Sequence, residues 1–252
     1  MIDFGGRRVV ITGAGGGLGK ALVSVFHRCN AFVVGCDTEA ADLSAEEIGE
    51  RHRFDLLDPP AIRDACRAIC SAGAPAAFIS NAGWTRAETL SDLTDESLAR
   101  EMSLNFHGAA IMSRDLLPSM RNQPQGAAFV FVSSVNALAH YGNPAYSAAK
   151  AALHAWARAL ATEEGRNGIR ANVVVPGSIR TDAWTHRLAE KPAVLAAVAR
   201  LYPLGRIVEP VEVARAIAFL ASPLASGITG AVLPVDAGIS ASNLPFLEQI
   251  AN

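Results

Sequence analysis

Residues 8–19 read Arg-Val-Val-Ile-Thr-Gly-Ala-Gly-Gly-Gly-Leu-Gly, and an amphipathic run over Leu18–Arg28 follows directly. The β-rich run Arg8–Thr12 predicts a strand, and the amphipathic run predicts a helix. Glycines allow a tight turn and let backbone N–H groups approach a ligand, while the new helix offers unpaired donors at its positive end. A strand, a glycine turn and a helix in this order indicate a binding site for a pyrophosphate.

Strands and helices are predicted to alternate along the rest of the chain. Further strands are predicted at Phe32–Cys36, Arg51–Asp55, Ala76–Ser80, Ala128–Ser133, Ile169–Val175 and Ala231–Val235. Further helices are predicted at Pro60–Ser71, Glu96–Asn122, Pro144–Glu164 and Val211–Ala221. Strands that are continuous apolar runs are typical of parallel sheets covered on both faces. We therefore expect an α/β fold, a single-domain, doubly wound (Rossmann-like) parallel sheet with helices on both faces, over residues 1–252.

One stretch, Ser178–Pro210, interrupts the alternation and follows a predicted strand. Loops at the carboxyl ends of parallel strands build the binding site in doubly wound sheets. We therefore expect residues 178–210 to form a lid over a small-molecule substrate.

The charge distribution excludes several classes of partner. The net charge of the 252-residue chain is −2, and its basic residues form neither a stripe nor a tail. Nucleic acids and anionic membrane surfaces are therefore not expected partners. No apolar run approaches the length of about 18–20 residues that crosses a bilayer, so no membrane association is expected.

The four cysteines lack the spacing of a metal site. They form no CxxC pair, and no paired histidines lie nearby; they are Cys29, Cys36, Cys66 and Cys70. No metal is therefore expected. The N-terminal residues show no secretory signal, so we expect reduced thiols and a cytoplasmic protein.

The second predicted strand leads into Asp37, roughly twenty residues after the glycine turn. A carboxylate at this position can accept hydrogen bonds from the hydroxyls of an adenosine ribose, and it would repel a 2′-phosphate. The next residues, Thr38 and Glu39, supply no cation to offset that repulsion. The pattern therefore favours NAD over NADP, although a carboxylate here could also merely cap a loop.

Tyr146 and Lys150 are four residues apart near the start of the helix predicted at Pro144–Glu164, so they share one face. Asn143 is expected to cap this helix, and Pro144 suits its first position. A nearby ammonium should lower the pKa of the tyrosine, which ordinarily lies at about 10. The pair could therefore exchange a proton with an alcohol or a ketone, although this spacing is also common by chance.

Taken together, the motifs resemble those of the short-chain dehydrogenase/reductase family over nearly the whole chain. The glycines of the turn match TGxxxGxG, Ser80–Gly83 resembles the NNAG motif, and Tyr146 to Lys150 matches YxxxK. Pro176–Thr181 resembles the PG-x-I-x-T segment, and Gly230–Gly238 resembles the family's last strand. The order and the spacing of these motifs make coincidence very unlikely.

The resemblance implies a catalytic tetrad of serine, tyrosine, lysine and asparagine. Tyr146 would be the acid/base, Lys150 would lower the pKa of Tyr146 and hold the nicotinamide ribose, and Asn105 would maintain a water-linked proton path. The serine is either Ser133, by the usual spacing, or Ser134, if the following loop is one residue shorter. We prefer Ser134, which leaves Ser133 on the opposite face of the strand.

The resemblance also implies a set of residues that bind the cofactor NAD. They are Gly13, Gly17, Leu18, Gly19, Asp37, Asp55, Leu56, Asn81, Ala82, Gly83, Tyr146, Lys150, Pro176, Gly177, Ile179 and Thr181.

Other polar and aromatic residues have two interpretations each. Several loop residues either contact the substrate or pack loops and face solvent: Trp84, His140, Tyr141, Trp184, His186 and Arg187. Asn136 could hydrogen-bond a substrate, and His154 is predicted on a helix surface. The predicted helix Pro144–Glu164 is rich in alanine on all sides, which indicates burial on more than one side. We therefore expect a homodimer or a homotetramer.

The sequence thus predicts an NAD-dependent oxidoreductase that transfers a hydride between NAD(H) and a secondary alcohol or ketone. An alternative is a catalytically weak NAD(H)-binding redox sensor of the same fold; such a protein would be expected to lack the tyrosine or the lysine, and both are present. A sugar-nucleotide epimerase or dehydratase would share the fold but usually has a longer chain.

Overall fold

The computed structural model describes residues 1–181, 193–241 and 243–250. Seven parallel strands form one sheet in the order β3-β2-β1-β4-β5-β6-β7. The strands are β1 (Arg8–Thr12), β2 (Phe32–Asp37), β3 (Ile48–Arg53), β4 (Ala77–Ser80), β5 (Ala127–Val132), β6 (Ile169–Pro176) and β7 (Val232–Val235). The predicted doubly wound α/β fold is confirmed.

Helices cover both faces of the sheet. They are α1 (Gly17–Arg28), α2 (Pro59–Ala72), α3 (Asp95–Met102), α4 (Gly108–Met120), α5 (Pro144–Glu164), α6 (Ala193–Ala199), α7 (Pro210–Ala221) and α8 (Leu244–Ile250). One buried cluster joins α1 and α7 to the sheet, and a second joins α2, α4 and α5 to the opposite face. Successive strand residues such as Val9 and Val10 belong to different clusters because side chains alternate across a strand.

The helix predicted over Glu96–Asn122 is interrupted by a π-helical segment at Ser103–His107, between α3 and α4. A π segment inserts an extra residue into the helical turn, and such segments occur frequently at functional sites. Asn105 lies in the middle of this segment and is buried.

The predicted cap of α5 is wrong in its details. Asn143 has a left-handed backbone conformation, with φ of 54°, and its side chain makes no capping hydrogen bond. Its Oδ1 instead accepts a hydrogen bond from the backbone N–H of Glu88, and its own N–H donates to the Glu88 carbonyl. Asn143 therefore ties the loop after β4 to the start of α5, and Pro144 begins the helix.

The strand order reverses between β1 and β4, where one crossover runs toward β2 and the other toward β5. Ligands of doubly wound sheets bind in the crevice at the carboxyl ends of the strands beside such a reversal. The glycine turn after β1 and the Asn81–Gly83 segment after β4 flank this crevice.

Only part of the predicted lid at 178–210 lies within the described residues. Ile179 pairs with Val208 as an isolated parallel bridge, and α6 lies between them in sequence. Tyr202 is buried and accepts a hydrogen bond from the backbone N–H of Ser178 at 3.0 Å. The stem of the segment is therefore anchored, and the lid stays a prediction.

No helix among the described residues is long and apolar enough to span a membrane. In the same parts of the chain, no group of three or more histidine, cysteine, aspartate or glutamate side chains is arranged to hold a metal ion.

Candidate active site

The glycine turn is connected to the end of β4 by hydrogen bonds of Thr12 and Asn81. The Thr12 hydroxyl accepts from the backbone N–H groups of Asn81 and Ala82 at 3.0 and 3.1 Å. The side-chain amide of Asn81 donates to the carbonyls of Thr12 and Gly13. Gly13 has a φ of 67°, and a Cβ there would lie 2.9 Å from Ala82 Cα. Only glycine fits at this position.

A cavity of about 400 Å³ extends from this turn along the carboxyl ends of β1 and β2. Ten of the predicted cofactor residues line it: Gly13, Gly17, Leu18, Gly19, Asp37, Asp55, Leu56, Asn81, Ala82 and Gly83. The turn presents the N-terminus of α1, which has no side-chain cap, to this cavity. Free N–H donors, a carboxylate and an apolar floor together fit a dinucleotide.

The carboxylate of Asp37 is held in place at the end of β2. Its Oδ2 accepts from the backbone N–H of Gly15 at 2.9 Å, and its Oδ1 accepts from that of Thr38 at 2.8 Å. The carboxylate therefore braces the glycine turn as well as lining the cavity. Asp55 has a different role in its loop, because its Oδ1 accepts from the N–H of Leu57.

The cavity wall also contains residues that motif matching did not identify. They are Thr12, Gly16, Cys36, Thr38, Phe54, Leu57, Trp84, Arg100 and Leu104. Arg100 and Leu104 are one helical turn apart, on the element that carries Asn105. Helical periodicity could have placed the two on one face, but it could not indicate that this face borders the cavity.

A second cavity, of about 560 Å³, adjoins the first and shares Gly83 and Trp84 with it. Ser134 and Tyr146 line this second cavity. Its other walls are aromatic, aliphatic or neutral polar: Thr85, Val135, Asn136, Tyr141, Asn143, Gly177, Ser178, Ile179, Thr181, Val198, Leu201, Tyr202 and Ile239. The hydroxyls of Ser134 and Tyr146 therefore lie in a cavity that adjoins the first one.

The Pro176–Thr181 segment closes the space between the two cavities. Pro176 ends β6 and is buried, whereas Gly177, Ile179 and Thr181 line the second cavity. A Cβ placed on Gly17 would lie 2.7 Å from the Thr181 side chain, so this segment touches the glycine turn.

The two serines after β5 have different surroundings. The Ser133 hydroxyl is buried, donates to the backbone carbonyl of Lys150 at 3.0 Å and lies 2.8 Å from Nε2 of His154. The Ser134 hydroxyl donates to Oδ1 of Asn136 and faces the second cavity. The prediction that His154 lies on the surface is wrong, because its ring packs behind the strand, with 8% exposed.

Burial dominates the ionisation of Tyr146 and Lys150. Burial raises the pKa of Tyr146 to about 12; the Ser134 hydroxyl lowers this pKa and the Glu101 carboxylate raises it. Burial lowers the pKa of Lys150 to about 8. The lysine was predicted to lower the pKa of the tyrosine, and the structure does not show this effect. Lys150 Nζ donates to the Val132 carbonyl at 3.0 Å and lies 5.6 Å from the centre of the tyrosine ring.

Lys150 and Asn105 are buried directly behind Gly83, with 3% and 1% of their surfaces exposed. A Cβ on Gly83 would lie 2.8 Å from Oδ1 of Asn105 and 2.9 Å from Nζ of Lys150. The amide of Asn105 also exchanges hydrogen bonds with the backbone of Trp84, donating at 3.0 Å and accepting at 3.2 Å. The structure therefore brings all four residues of the predicted tetrad to one end of the sheet.

The loop residues with two interpretations divide into three groups. Trp84 and Tyr141 line the second cavity, and 55% and 43% of their surfaces are exposed. His140 is exposed beside Tyr141. Trp184, His186 and Arg187 lie outside the described residues.

The fold and this site define an oxidoreductase that binds a nicotinamide dinucleotide. The family model described as "Enoyl-(Acyl carrier protein) reductase" matches residues 13–240. The chain belongs to the short-chain dehydrogenase/reductase family, as the resemblance predicted.

Individual relatives support this assignment. An uncharacterized oxidoreductase of Schizosaccharomyces pombe is 37% identical over 246 residues, which cover 97% of this chain and 95% of the relative. The crystal structure of a short-chain dehydrogenase/reductase family oxidoreductase from Burkholderia thailandensis is similar, with a TM-score of 0.89 and 36% identity over 97% of both chains. An NADPH-bound short-chain oxidoreductase of Pseudomonas aeruginosa PAO1 with an atypical catalytic center has a TM-score of 0.87, with 29% identity over 96% of this chain and all of the other.

Proposed function

We propose that this protein transfers a hydride between NAD(H) and a secondary alcohol or ketone, with Tyr146 as the acid/base. The observation that carries this proposal is the pair of adjoining cavities that share Gly83 and Trp84. One has the glycine turn and carboxylate that suit a dinucleotide, and the other holds the hydroxyls of Ser134 and Tyr146. The described part of this cavity wall is neutral, and its amides and hydroxyls suit an uncharged carbonyl compound or its alcohol.

Each polar side chain has a distinct role in the proposed reaction. When bound, the nicotinamide supplies the hydride donor or acceptor, and the protein moves the proton. The phenol of Tyr146 donates its proton to the carbonyl oxygen during reduction and takes it back during oxidation. The Ser134 hydroxyl has a single proton, which it donates here to Oδ1 of Asn136 and would redirect to the same substrate oxygen. Gly83 leaves the space in which Lys150 reaches toward the cofactor ribose.

The ionisation of the site supports reduction at neutral pH. A phenol with a pKa of about 12 is protonated at neutral pH, so it is ready to act as an acid. Oxidation needs the phenolate, and a positive charge nearby favours that form. Among the described residues, the Lys150 ammonium supplies such a charge 5.6 Å from the centre of the tyrosine ring, and the oxidised nicotinamide would add another.

A substitution of the central hydroxyl tests this function. Tyr146→Phe should lower kcat by about 10²–10⁴-fold, because proton transfer is lost, while the Kd for NADH stays within about twofold. Tyr141→Phe is the matched control, since it removes a hydroxyl from the same cavity and should retain activity. The readout is nicotinamide absorbance across a panel of alcohols and ketones. Tight NADH binding without turnover of any compound by the wild type would favour the redox sensor.

The choice of NAD over NADP rests on Asp37. Its carboxylate faces the cavity at the end of β2, where it can accept hydrogen bonds from neutral ribose hydroxyls. The nearby cations have other partners: Lys20 lies 3.8 Å from Asp42, and Arg53 donates to the carbonyls of Thr38, Glu39 and Ala41. The 2′-phosphate of NADP would therefore be repelled by the Asp37 carboxylate. The Pseudomonas relative nevertheless binds NADPH.

The cofactor proposal is tested by the ratio of kcat/KM for NAD over NADP. A repulsion of about 2–3 kcal/mol corresponds to roughly 30- to 150-fold in favour of NAD. Asp37→Asn keeps an acceptor for the glycine turn but removes the charge, so the ratio should fall. Asp55→Asn is the control, because it removes a carboxylate from the same cavity away from the predicted 2′ position. A wild-type ratio of one or less would contradict the proposal.

The assembly and the cellular location complete the proposal. The outer face of α5 exposes Ala148, Ala151, Ala155 and Ala159, and half-buried Trp156 lies beside them. A face of small residues allows a second helix to approach closely, which supports a homodimer or homotetramer. All four cysteines are free thiols, which supports a reducing, cytoplasmic environment.

A further inference from the structure

Glu101 is a buried carboxylate beside the tetrad that no motif of the sequence indicates. It lies in α3, one helical turn before Asn105, and 6% of its surface is exposed. Its Oε2 accepts a hydrogen bond from Nδ2 of Asn105 at 2.7 Å. A carboxylate is costly to bury unless it has strong partners, so its presence at this position calls for a physical reason.

The surroundings of Glu101 supply hydrogen bonds rather than a direct salt bridge. The Thr85 hydroxyl and the backbone of Arg86 hydrogen-bond the carboxylate, and the charges of Glu88 and Arg100 act on it with opposite signs. Among the described residues, Glu101 forms no direct ion pair. Burial accordingly raises the pKa of this carboxyl. Its hydrogen bond with Asn105 is 2.7 Å long.

The carboxylate is one of three acceptors around Nδ2 of Asn105, together with the backbone carbonyls of Trp84 and of Glu101 itself. A carboxylate only accepts hydrogen bonds, so the NH₂ end of the amide must face Glu101 and the oxygen must face the other way. The oxygen then accepts from the N–H of Trp84, and this oxygen and Lys150 Nζ lie 2.8 and 2.9 Å from the position that a Cβ on Gly83 would take. The backbone carbonyl of Glu101 accepts from the same end of the amide at 3.1 Å, but the carboxylate makes the shorter, charge-assisted hydrogen bond at 2.7 Å.

We propose that Glu101 is a positioning residue, which fixes the side-chain amide of Asn105 with its oxygen directed toward Lys150. The proposal rests on the proposed oxidoreductase function, because it assigns Glu101 an effect on turnover. Glu101 itself reaches neither of the two main cavities, so it acts through Asn105.

Two variants separate positioning from packing. Glu101→Gln keeps the size of the side chain and an oxygen acceptor for Asn105, whereas Glu101→Leu keeps the size and removes the acceptor. Loss of a precise geometry of about 1 Å can cost up to about 100-fold in rate, so Glu101→Leu should lower kcat by about 10- to 100-fold. Glu101→Gln should stay within about threefold of the wild type. Far-ultraviolet circular dichroism and the thermal midpoint establish that both variants fold.

The Asn105→Ala background tests the route of the effect. If Glu101 acts through Asn105, adding Glu101→Leu to Asn105→Ala should change kcat by less than about twofold. If Glu101→Leu lowered kcat by the same factor in the wild type and in Asn105→Ala, Glu101 would act by packing alone. That result would overturn the proposal. Equal losses in Glu101→Gln and Glu101→Leu would also overturn it.

Crystal structures of the two variants give a readout that needs no turnover. In Glu101→Leu, the amide of Asn105 should lose at least one of its two hydrogen bonds with Trp84. In Glu101→Gln, the amide should retain both. An unchanged amide in Glu101→Leu would overturn the positioning role even in an active enzyme. If the wild type turned over no substrate while the amide moved as expected, the proposed function would fail and the positioning of Asn105 would stand.

Discussion

The hydroxyl oxygen of Ser133 lies 2.8 Å from Nε2 of His154, on the side of β5 away from the substrate cavity. Burial, and then Arg158, lower the pKa of this histidine, so the pair is a neutral hydrogen bond inside the protein. The neighbouring hydroxyl of Ser134 faces the cavity that Tyr146 lines. Two adjacent serines therefore have separate tasks, one in stability and one in the proposed reaction.

Replacing each serine by alanine should separate these tasks. Ser134→Ala should lower kcat by about 10²-fold with little change in the thermal midpoint, because it removes a hydroxyl that faces the substrate. Ser133→Ala should keep most of the activity but lower the free energy of unfolding by about 1–3 kcal/mol, because it leaves buried partners unpaired. Steady-state rates and urea denaturation of both variants provide the measurements. A greater loss of kcat in Ser133→Ala would contradict the assignment.

Gly83→Ala should impair turnover although it adds only a methyl group. The new Cβ would lie 2.8 Å from Oδ1 of Asn105 and 2.9 Å from Nζ of Lys150, so these functional ends must move apart. We expect kcat to fall by about 10- to 100-fold, because a displacement near 1 Å is costly in a preorganised site. Gly227→Ala is the control, since a Cβ there meets nothing within 4 Å. An unchanged kcat in Gly83→Ala would show that the close approach of Asn105 and Lys150 to Gly83 does not matter for turnover.

The two directions of the reaction should differ in their pH dependence. Because the pKa of Tyr146 is raised to about 12, the phenolate fraction grows about tenfold per pH unit at neutral and mildly alkaline pH. Below the Lys150 pKa of about 8, values of kcat/KM for oxidation should therefore rise from about pH 6 to about 7.5, whereas those for reduction should stay nearly constant. A rate of oxidation that is independent of pH in this range would contradict a tyrosine base with a raised pKa.

The charge of Glu101 makes a further contribution to this pH profile. Its carboxylate raises the pKa of both Tyr146 and Lys150. Removing the charge in Glu101→Gln should lower both values, so the rise in oxidation should move to lower pH than in the wild type. The measurement is the pH profile of kcat/KM for the two proteins under one set of buffers. A shift to higher pH would contradict the sign of this interaction.

A charge placed on the alanine face of α5 should disrupt the proposed assembly. Ala155 is exposed near the middle of this face, so Ala155→Glu would bring like charges together across a symmetric helix pair. Light scattering at micromolar concentration should show a multiple of 26.4 kDa for the wild type and a smaller mass for the variant. Ser71→Glu, on the exposed end of α2, should leave the mass unchanged. A monomeric wild type would refute the proposal.

Local features of the sequence determine much of this protein. The apolar runs predict six of the strands to within one residue at each end, because a buried parallel strand is apolar on both faces. The edge strand β3 is polar, and its predicted bounds Arg51–Asp55 lie two or three residues from those observed, Ile48–Arg53. The spacing of the glycines and the four-residue step from Tyr146 to Lys150 also depend only on local geometry. These features were sufficient to predict the sheet, the pyrophosphate turn and the shared helical face.

Tertiary structure decided what depends on contacts between distant segments. The sequence predicts that His154 lies on the surface of its helix, but in the fold its ring contacts Ser133. Asn143 is predicted to cap a helix, but its side chain accepts a hydrogen bond from the backbone of Glu88. Burial raises the pKa of Tyr146, whereas the nearby lysine predicted a lowering, because desolvation depends on every element packed around a group. Glu101 shows the same limit: helical spacing places it one turn from Asn105, but only packing against the Trp84 loop buries its carboxylate there.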